Sequence, residues 1–321
     1  MVCCPVTDVQ VGHIGISKDI DVDGKLMKHR IFSGAATALA TPMREDGKID
    51  YQAMEKLLEF QIDGGIDALV VMGTTGEAST LDKEERKELT RYTLKTVDKK
   101  VPVIIGTGSN DTRHAIMLSR EAEELGADGL LLVTPYYNKT SQEGLIQHYF
   151  MIADQVSVPI IIYNVPTRTG VNICPETARI LAEHPRICGI KEASGNLSQV
   201  AKTARLCRKT MDIYSGNDDQ ILPVLSLGGC GVISVLGNIM PRETAEICRL
   251  YQEGKRKEST DLQLELLDIM NAMFWDVNPI PVKAALSIMG ICRENCRLPL
   301  VPLKKELKEE LKRLMENHGL C

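Results

Sequence analysis

Lys191 closes a short apolar run, Ile187-Cys188-Gly189-Ile190, of the kind that forms a buried strand. A lysine is seldom buried without cause. Burial disfavours the ammonium, lowers the pKa and frees an amine that attacks a carbonyl to give a Schiff base. Position alone leaves a second reading open, an ion pair with a strand-end carboxylate. Tyr163 closes the preceding run, and a phenol beside such an amine moves protons on and off a carbinolamine; a core tyrosine with its hydroxyl at the wet end is the alternative. Thr74 and Thr75, flanked by Gly73 and Gly76, offer backbone N–H groups and hydroxyls to a small carboxylate. Arg168, five residues past Tyr163, carries the planar fork that suits a carboxylate, or is a solvated surface arginine.

These residues need elements to hold them. From residue 31 on, short apolar runs alternate with longer amphipathic stretches: Gly34–Leu39, Ala68–Met72, Val103–Gly106, Gly129–Val133, Ile160–Tyr163, Ile187–Ile190, Asp212–Ser215 and Gly231–Val235. Their starts lie roughly 25–35 residues apart through most of the chain, the length of a βα unit. The runs are continuous rather than alternating, so both faces are buried, as in a parallel sheet. Between them lie helix signals. Asp82 with Glu85 and Thr140 with Glu143 read as capping boxes, Pro175 and Pro241 as first-turn prolines, Gly64 and Gly126 as helix stops. Eight such units predict an α/β fold, a (β/α)8 TIM barrel over residues 31–251, with active residues at the carboxyl ends of its strands. Residues 252–321 read as a C-terminal helical extension with helices near 255–274, 279–290 and 302–317. Residues 1–30 show no useful period and read as a mobile leader.

Composition closes off other classes. Lys plus Arg is 38 and Asp plus Glu 43, a formal net charge of −5, which argues against a polyanion-binding surface and hence a nucleic-acid partner. No apolar run approaches the ~20 residues of a membrane helix, and the first residues lack a secretory pattern. The ten cysteines follow no framework spacing and read as reduced thiols of a cytoplasmic protein. The pairs Cys3–Cys4 and Cys292–Cys296 fall short of the ligands zinc needs, and no histidine closes a strand, which favours metal-free amine catalysis. Gly106-Thr-Gly-Ser-Asn110 lacks the third glycine of a dinucleotide fingerprint, and no P-loop occurs.

Four segments then carry a resemblance: Gly73-Thr-Thr-Gly-Glu77, Tyr163-Asn-Val-Pro-Thr-Arg-Thr-Gly170, Gly189-Ile-Lys-Glu-Ala-Ser-Gly195 and Asn278-Pro-Ile-Pro-Val-Lys283. From about Phe32 to the C-terminus the sequence resembles the dihydrodipicolinate synthase family, within the pyruvate-dependent class I aldolases. The resemblance implies a lyase of lysine and diaminopimelate biosynthesis that condenses pyruvate with L-aspartate 4-semialdehyde. It implies that Lys191 forms the pyruvate Schiff base. Tyr163 would be the acid/base in a relay with Thr75 and with Tyr137 reaching in from a neighbouring subunit. Thr74 and Thr75 would hold the pyruvate carboxylate, Arg168 the second substrate's carboxylate, and Gly216 and Ile233 would line the pocket. A homotetramer built as a dimer of dimers follows, with no metal or organic cofactor. The alternatives are a sister lyase of a sugar acid, in which Arg168 is usually absent, and a non-catalytic barrel that binds a keto acid.

Some members of the family are inhibited by L-lysine. At the positions where those carry two histidines and a glutamate, this sequence has Lys83, Arg86 and His114, while Asn110 and Tyr136 match. Replacing near-neutral groups by fixed cations predicts insensitivity to lysine; the alternative places Lys83 and Arg86 on a solvated helix face, paired with Glu84 or Glu88.

Overall fold

The computed structural model describes Lys28 and residues 30–321, so most of the stretch expected to be a leader lies outside the described residues. From Gly34 the chain runs through β1 (Gly34–Ala38), α1 (Tyr51–Asp63), β2 (Ala68–Val71), α2 (Lys83–Val97), β3 (Val103–Gly106), α3 (Thr112–Glu124), β4 (Gly129–Val133), α4 (Gln142–Ala153) and β5 (Ile160–Asn164). It continues through the one-turn α5 (Pro166–Thr169), α6 (Pro175–Leu181), β6 (Ile187–Glu192), α7 (Leu197–Cys207), β7 (Asp212–Ser215), α8 (Ile221–Ser226), β8 (Gly231–Ser234) and α9 (Pro241–Gln252). The eight strands pair in sequence order, all parallel, and β8 closes on β1. The fold is a (β/α)8 barrel. Four helices follow: α10 (Arg256–Glu265), α11 (Leu267–Ala272), α12 (Ile280–Ile288) and α13 (Lys305–Asn317).

Two apolar layers hold the barrel. Inside it, Ala36, Ala38, Ala68, Val70, Ile104, Leu131, Ile161, Tyr163, Tyr214 and Ile233 pack together, small side chains facing large ones. Outside, the other faces of the strands meet the apolar stripes of the helices. This two-sided burial is why the strands read as unbroken runs. Phe32 plugs the amino-terminal end, stacked at 4.4 Å on Tyr214, whose hydroxyl donates to Phe32 O at 2.7 Å. At that end Lys28 Nζ donates to Ile187 O at 2.7 Å, and Arg30 pairs with Asp212 at 2.8 Å.

Several local expectations shift. The Asp82–Glu85 capping box forms in full, and Pro175 and Pro241 open α6 and α9. On α4 the cap is Ser141 rather than Thr140: its hydroxyl accepts from Gly144 N, and a glycine three residues on cannot complete a box. Gly126 takes the left-handed conformation past α3, but after α1 that role falls to Gly65 (φ 76°), Gly64 remaining right-handed. The stretch 255–274 divides at Leu266, which ends α10 and starts α11. Seven of the described cysteines are free; Cys174 is disulfide-bonded, against the expectation of reduced thiols. No helix among the described residues is long and apolar enough to cross a membrane.

Candidate active site

A cavity of about 270 Å³ opens at the carboxyl end of the barrel, lined by Thr74 and Thr75 after β2, Tyr163 of β5, Arg168 of α5, Lys191 of β6 and Gly216 after β7. The sequence-derived candidates therefore converge, and each has a local reason to do so.

Lys191 is 4% exposed. Its Nζ lies 4.5 Å from the centroid of the Tyr163 ring, and among the described residues it makes no ion pair, so the structural alternative fails for this lysine. Burial lowers its pKa to about 8; Asp218 opposes that shift and Arg168 adds to it. The neighbouring Glu192 does not face the amine. Its carboxylate accepts from Asn164 Nδ2 at 3.1 Å, Ser194 N at 2.8 Å and Gln199 Nε2 at 3.2 Å, which ties the ends of β5 and β6 together. Gly216 gives the lysine stem room: a Cβ there would stand 3.1 Å from Lys191 Cε and 2.6 Å from Ala193 Cβ.

The Tyr163 phenol is held above its ordinary pKa by burial, a shift that Arg168 and a hydrogen bond with Thr74 partly offset. It is a proton donor at neutral pH. Thr74 is the threonine that acts on the phenol in this chain, while the Thr75 hydroxyl oxygen accepts from Asn278 Nδ2 at 2.9 Å. Around these threonines the backbone turns sharply. Gly76 N donates to Gly73 O and Glu77 N to Thr74 O, both at 3.1 Å. Among the described residues no protein carbonyl takes the N–H of Thr74 or Thr75, so both remain free for an anion. Arg168 arrives by the one-turn α5, which Pro166 starts and Gly170 stops, with Gly170 N bonded to Pro166 O at 2.9 Å.

Two expected residues stay apart from this cavity. Tyr137 is 93% exposed, in the left-handed region (φ 66°) on the loop after β4. Ile233 is fully buried in the inner barrel layer and does not border the cavity. Conversely, sequence reasoning gave no role to Asn278, Glu77, Lys283 or Asp218. Lys283 and Glu77 form an ion pair with both side chains buried, and the second Glu77 oxygen accepts from Arg297 N at 2.9 Å. Arg297 in turn grips Glu85 and donates to Gly47 O at 2.8 Å. Thus the C-terminal extension braces the turn that carries Thr74 and Thr75. Asp218 is buried after β7, with its Oδ2 accepting from Val235 N and Leu236 N at 3.1 and 2.9 Å.

A second cavity, of about 470 Å³, shares Thr74, Tyr163 and Arg168 with the first and extends past Arg86, His114 and Tyr136. Arg86 is not on a solvated helix face, as one alternative had it: its guanidinium donates to Gly106 O at 2.6 Å and Ala78 O at 3.1 Å. Lys83 is exposed and not in the cavity wall.

A closed parallel barrel with a desolvated lysine amine at its mouth defines an enzyme of the Schiff-base aldolase class. The dihydrodipicolinate synthetase family model matches residues 31–318. A 4-hydroxy-tetrahydrodipicolinate synthase of Clostridium acetobutylicum is 50% identical over 290 residues, covering 90% of this chain and 99% of the relative. The crystal structure of dihydrodipicolinate synthase from Thermotoga maritima is 43% identical with a TM-score of 0.90, covering 91% of this chain and 100% of that one. That of the Acinetobacter baumannii enzyme complexed with pyruvate is 42% identical with a TM-score of 0.88, covering 90% and 99%. The chain belongs to the dihydrodipicolinate synthetase family. Its place is among the 4-hydroxy-tetrahydrodipicolinate synthases, which are lyases.

Proposed function

We propose that this site condenses pyruvate with L-aspartate 4-semialdehyde through a Schiff base on Lys191, the committed ring-forming step toward diaminopimelate and lysine. The neutral amine of Lys191 adds to the pyruvate ketone. The Tyr163 phenol gives a proton to the departing hydroxyl, and water leaves the iminium. Loss of a methyl proton gives the enamine, whose carbon attacks the semialdehyde. The substrate amine then displaces Lys191 as the ring closes. A positioned acid/base of this kind is worth ~10²–10⁴ in rate. In this reading Thr74 and Thr75 receive the pyruvate carboxylate, Arg168 the second carboxylate, and Gly216 leaves room for the lysine stem.

The observation that carries the reading is the buried Lys191 amine set against the Tyr163 ring in a cavity that also holds Arg168. Tyr137, exposed on its loop, completes the relay of a neighbouring subunit, in a homotetramer built from dimers and working in the cytoplasm. Residues 31–251 form the catalytic barrel and 252–321 the extension that braces its mouth. The test is borohydride reduction in the presence of pyruvate. The wild type gains the mass of a reduced pyruvate adduct on Lys191 and Lys191→Ala gains none. A pyruvate-dependent adduct in Lys191→Ala would place the chemistry elsewhere. Turnover with aspartate semialdehyde, in an assay coupled to reduction of the product, separates the synthase from a sugar-acid lyase.

A further inference from the structure

Arg168 rides on α5, a single helical turn, and a helix that short does not hold itself. The arginine is exposed, and among the described residues its guanidinium has no hydrogen-bond or ion-pair partner. Its aim is therefore set by the backbone on either side of the turn. Thr169 pins the turn to Thr134 at 3.0 Å. The segment that follows is pinned by Asn172, which uses both ends of its amide. Oδ1 accepts from Asn164 Nδ2 at 2.9 Å and from Gln199 Nε2 at 3.0 Å, and Nδ2 donates to Gln199 Oε1 at 2.7 Å. The next two backbone N–H groups are also held, Ile173 N by Asn164 Oδ1 at 2.9 Å and Cys174 N by Gln142 Oε1 at 3.0 Å.

The two donors that reach Asn172 Oδ1 are the same two that hold a buried carboxylate. Asn164 Nδ2 also donates to Glu192 at 3.1 Å, and Gln199 Nε2 to Glu192 Oε2 at 3.2 Å. Asn164 is fully buried and Glu192 is 3% exposed. A carboxylate only accepts, so it turns the nitrogens of both amides toward itself. That leaves the Asn164 oxygen for Ile173 N and the Gln199 oxygen for Asn172 Nδ2, and the three amides have one consistent arrangement. We infer that Asn172 is a positioning residue: it fastens the segment after α5 to the buried Glu192 network and so aims Arg168 at the carboxylate of the second substrate. The inference rests on the reading of Arg168 as that ligand. Asn164 and Glu192 are the chain neighbours of Tyr163 and Lys191. The arginine on its exposed turn is thereby referenced to the two strand ends that carry the catalytic pair.

The experiment is a double-mutant cycle. KM for each substrate is measured in the wild type, Asn172→Leu, Arg168→Ala and the double variant, with borohydride trapping of pyruvate beside it. Asn172→Leu should raise KM for aspartate semialdehyde roughly two- to tenfold and leave KM for pyruvate and the trapping unchanged. In the Arg168→Ala background it should raise KM for the semialdehyde no further, since a residue that acts through the arginine then has nothing to aim. A residue that only stabilised the barrel would weaken the use of both substrates in either background. Gln199→Met removes the partner of both ends of the Asn172 amide from a half-buried position on α7. It should shift the same constant in the same direction, and it completes the cycle with Arg168→Ala if Asn172→Leu does not fold. No change in KM for the semialdehyde, a penalty that persists in full without Arg168, or one shared equally by pyruvate overturns the assignment. Equal effects of Arg168→Ala alone on the two substrates are a separate outcome, and they overturn the reading of Arg168 underneath it.

Discussion

Lys191 and Tyr163 are register partners on adjacent parallel strands, and the lysine Nζ lies 4.5 Å from the centre of the tyrosine ring. Paired strands put both side chains on the same face at the same height, so the phenol accompanies the amine without any loop having to fold correctly. An aromatic face favours a cation, yet burial prevails and the amine's pKa falls to about 8.

That pKa sets an acid limb. The amine must be neutral to attack, so kcat/KM for pyruvate should rise tenfold per pH unit below about 8 and level off above it. The Asp218 carboxylate favours the ammonium, so Asp218→Asn should move the limb to lower pH. A pH–rate profile of borohydride trapping reads both, and a wild-type limb near the ordinary lysine value would contradict the desolvated amine.

The same burial predicts a stability change. Lys191 has a lower pKa folded than unfolded, so its ionisation costs nothing above the unfolded value, 10.5, and the cost builds as pH falls from there to about 8, below which it is complete. At pH 7 the cost is on the order of 3 kcal/mol. Lys191→Met should be inactive, should melt several degrees above the wild type at pH 7, and should lose that advantage near pH 10. Thermal melts at the two pH values settle it.

Arg168→Ala should raise KM for aspartate semialdehyde far more than KM for pyruvate, since a hydrogen bond to a charged group is worth roughly 1.5–3 kcal/mol. Initial-rate kinetics with each substrate varied in turn supply the comparison. Equal effects would make Arg168 structural.

L-Lysine at low millimolar concentration should inhibit weakly or not at all. Arg86 is tied to two backbone carbonyls in the wall of the 470 Å³ cavity, so its charge cannot swing away from a bound ammonium. Like charges about 4 Å apart repel by roughly 1 kcal/mol in water and about 4 at an effective dielectric of 20. Lys83, counted alongside it from sequence, does not line this cavity, so the expectation rests on Arg86 and on His114. Titrating lysine into the coupled assay is the check, with sub-millimolar inhibition the contrary result.

Lys283→Met should leave Glu77 as a buried, unpaired carboxylate. Removing one partner of such a pair costs about 3–5 kcal/mol, a fall in Tm on the order of 10 °C. Adding Glu77→Gln removes the stranded charge and should recover part of it. Calorimetry of the two variants tests this, and a double variant less stable than Lys283→Met would show the pair is not the source.

What was legible in the sequence follows the range of the forces. The strands Val103–Gly106, Gly129–Val133 and Asp212–Ser215 fall where the apolar runs do, because two-sided burial writes itself into consecutive residues. β6 runs on to Glu192 past its apolar stretch, since Asn164, Ser194 and Gln199 satisfy a carboxylate that looked like a strand end. Lys191, Tyr163 and Arg168 were visible because chemistry-bearing side chains at strand ends are conspicuous. Asn278 and Lys283 were not given roles, although their segment was singled out, because their partners Thr75 and Glu77 are about two hundred residues away in the chain. The available signal was a lone lysine inside the otherwise apolar Ile280–Ile288 helix, which is fully buried and therefore needs a counter-charge.

The Glu77–Lys283 pair also bears on how the protein comes to life on the ribosome. All eight strands emerge before Lys283 does, so a nascent chain has the material to close its barrel while Glu77 still lacks its cation and Thr75 lacks Asn278. Such an intermediate carries the lysine nucleophile but not a settled turn to receive an acid. The turn that carries Thr74 and Thr75 therefore gains its last braces, from Lys283 and Arg297, only from the segment made after the barrel is complete.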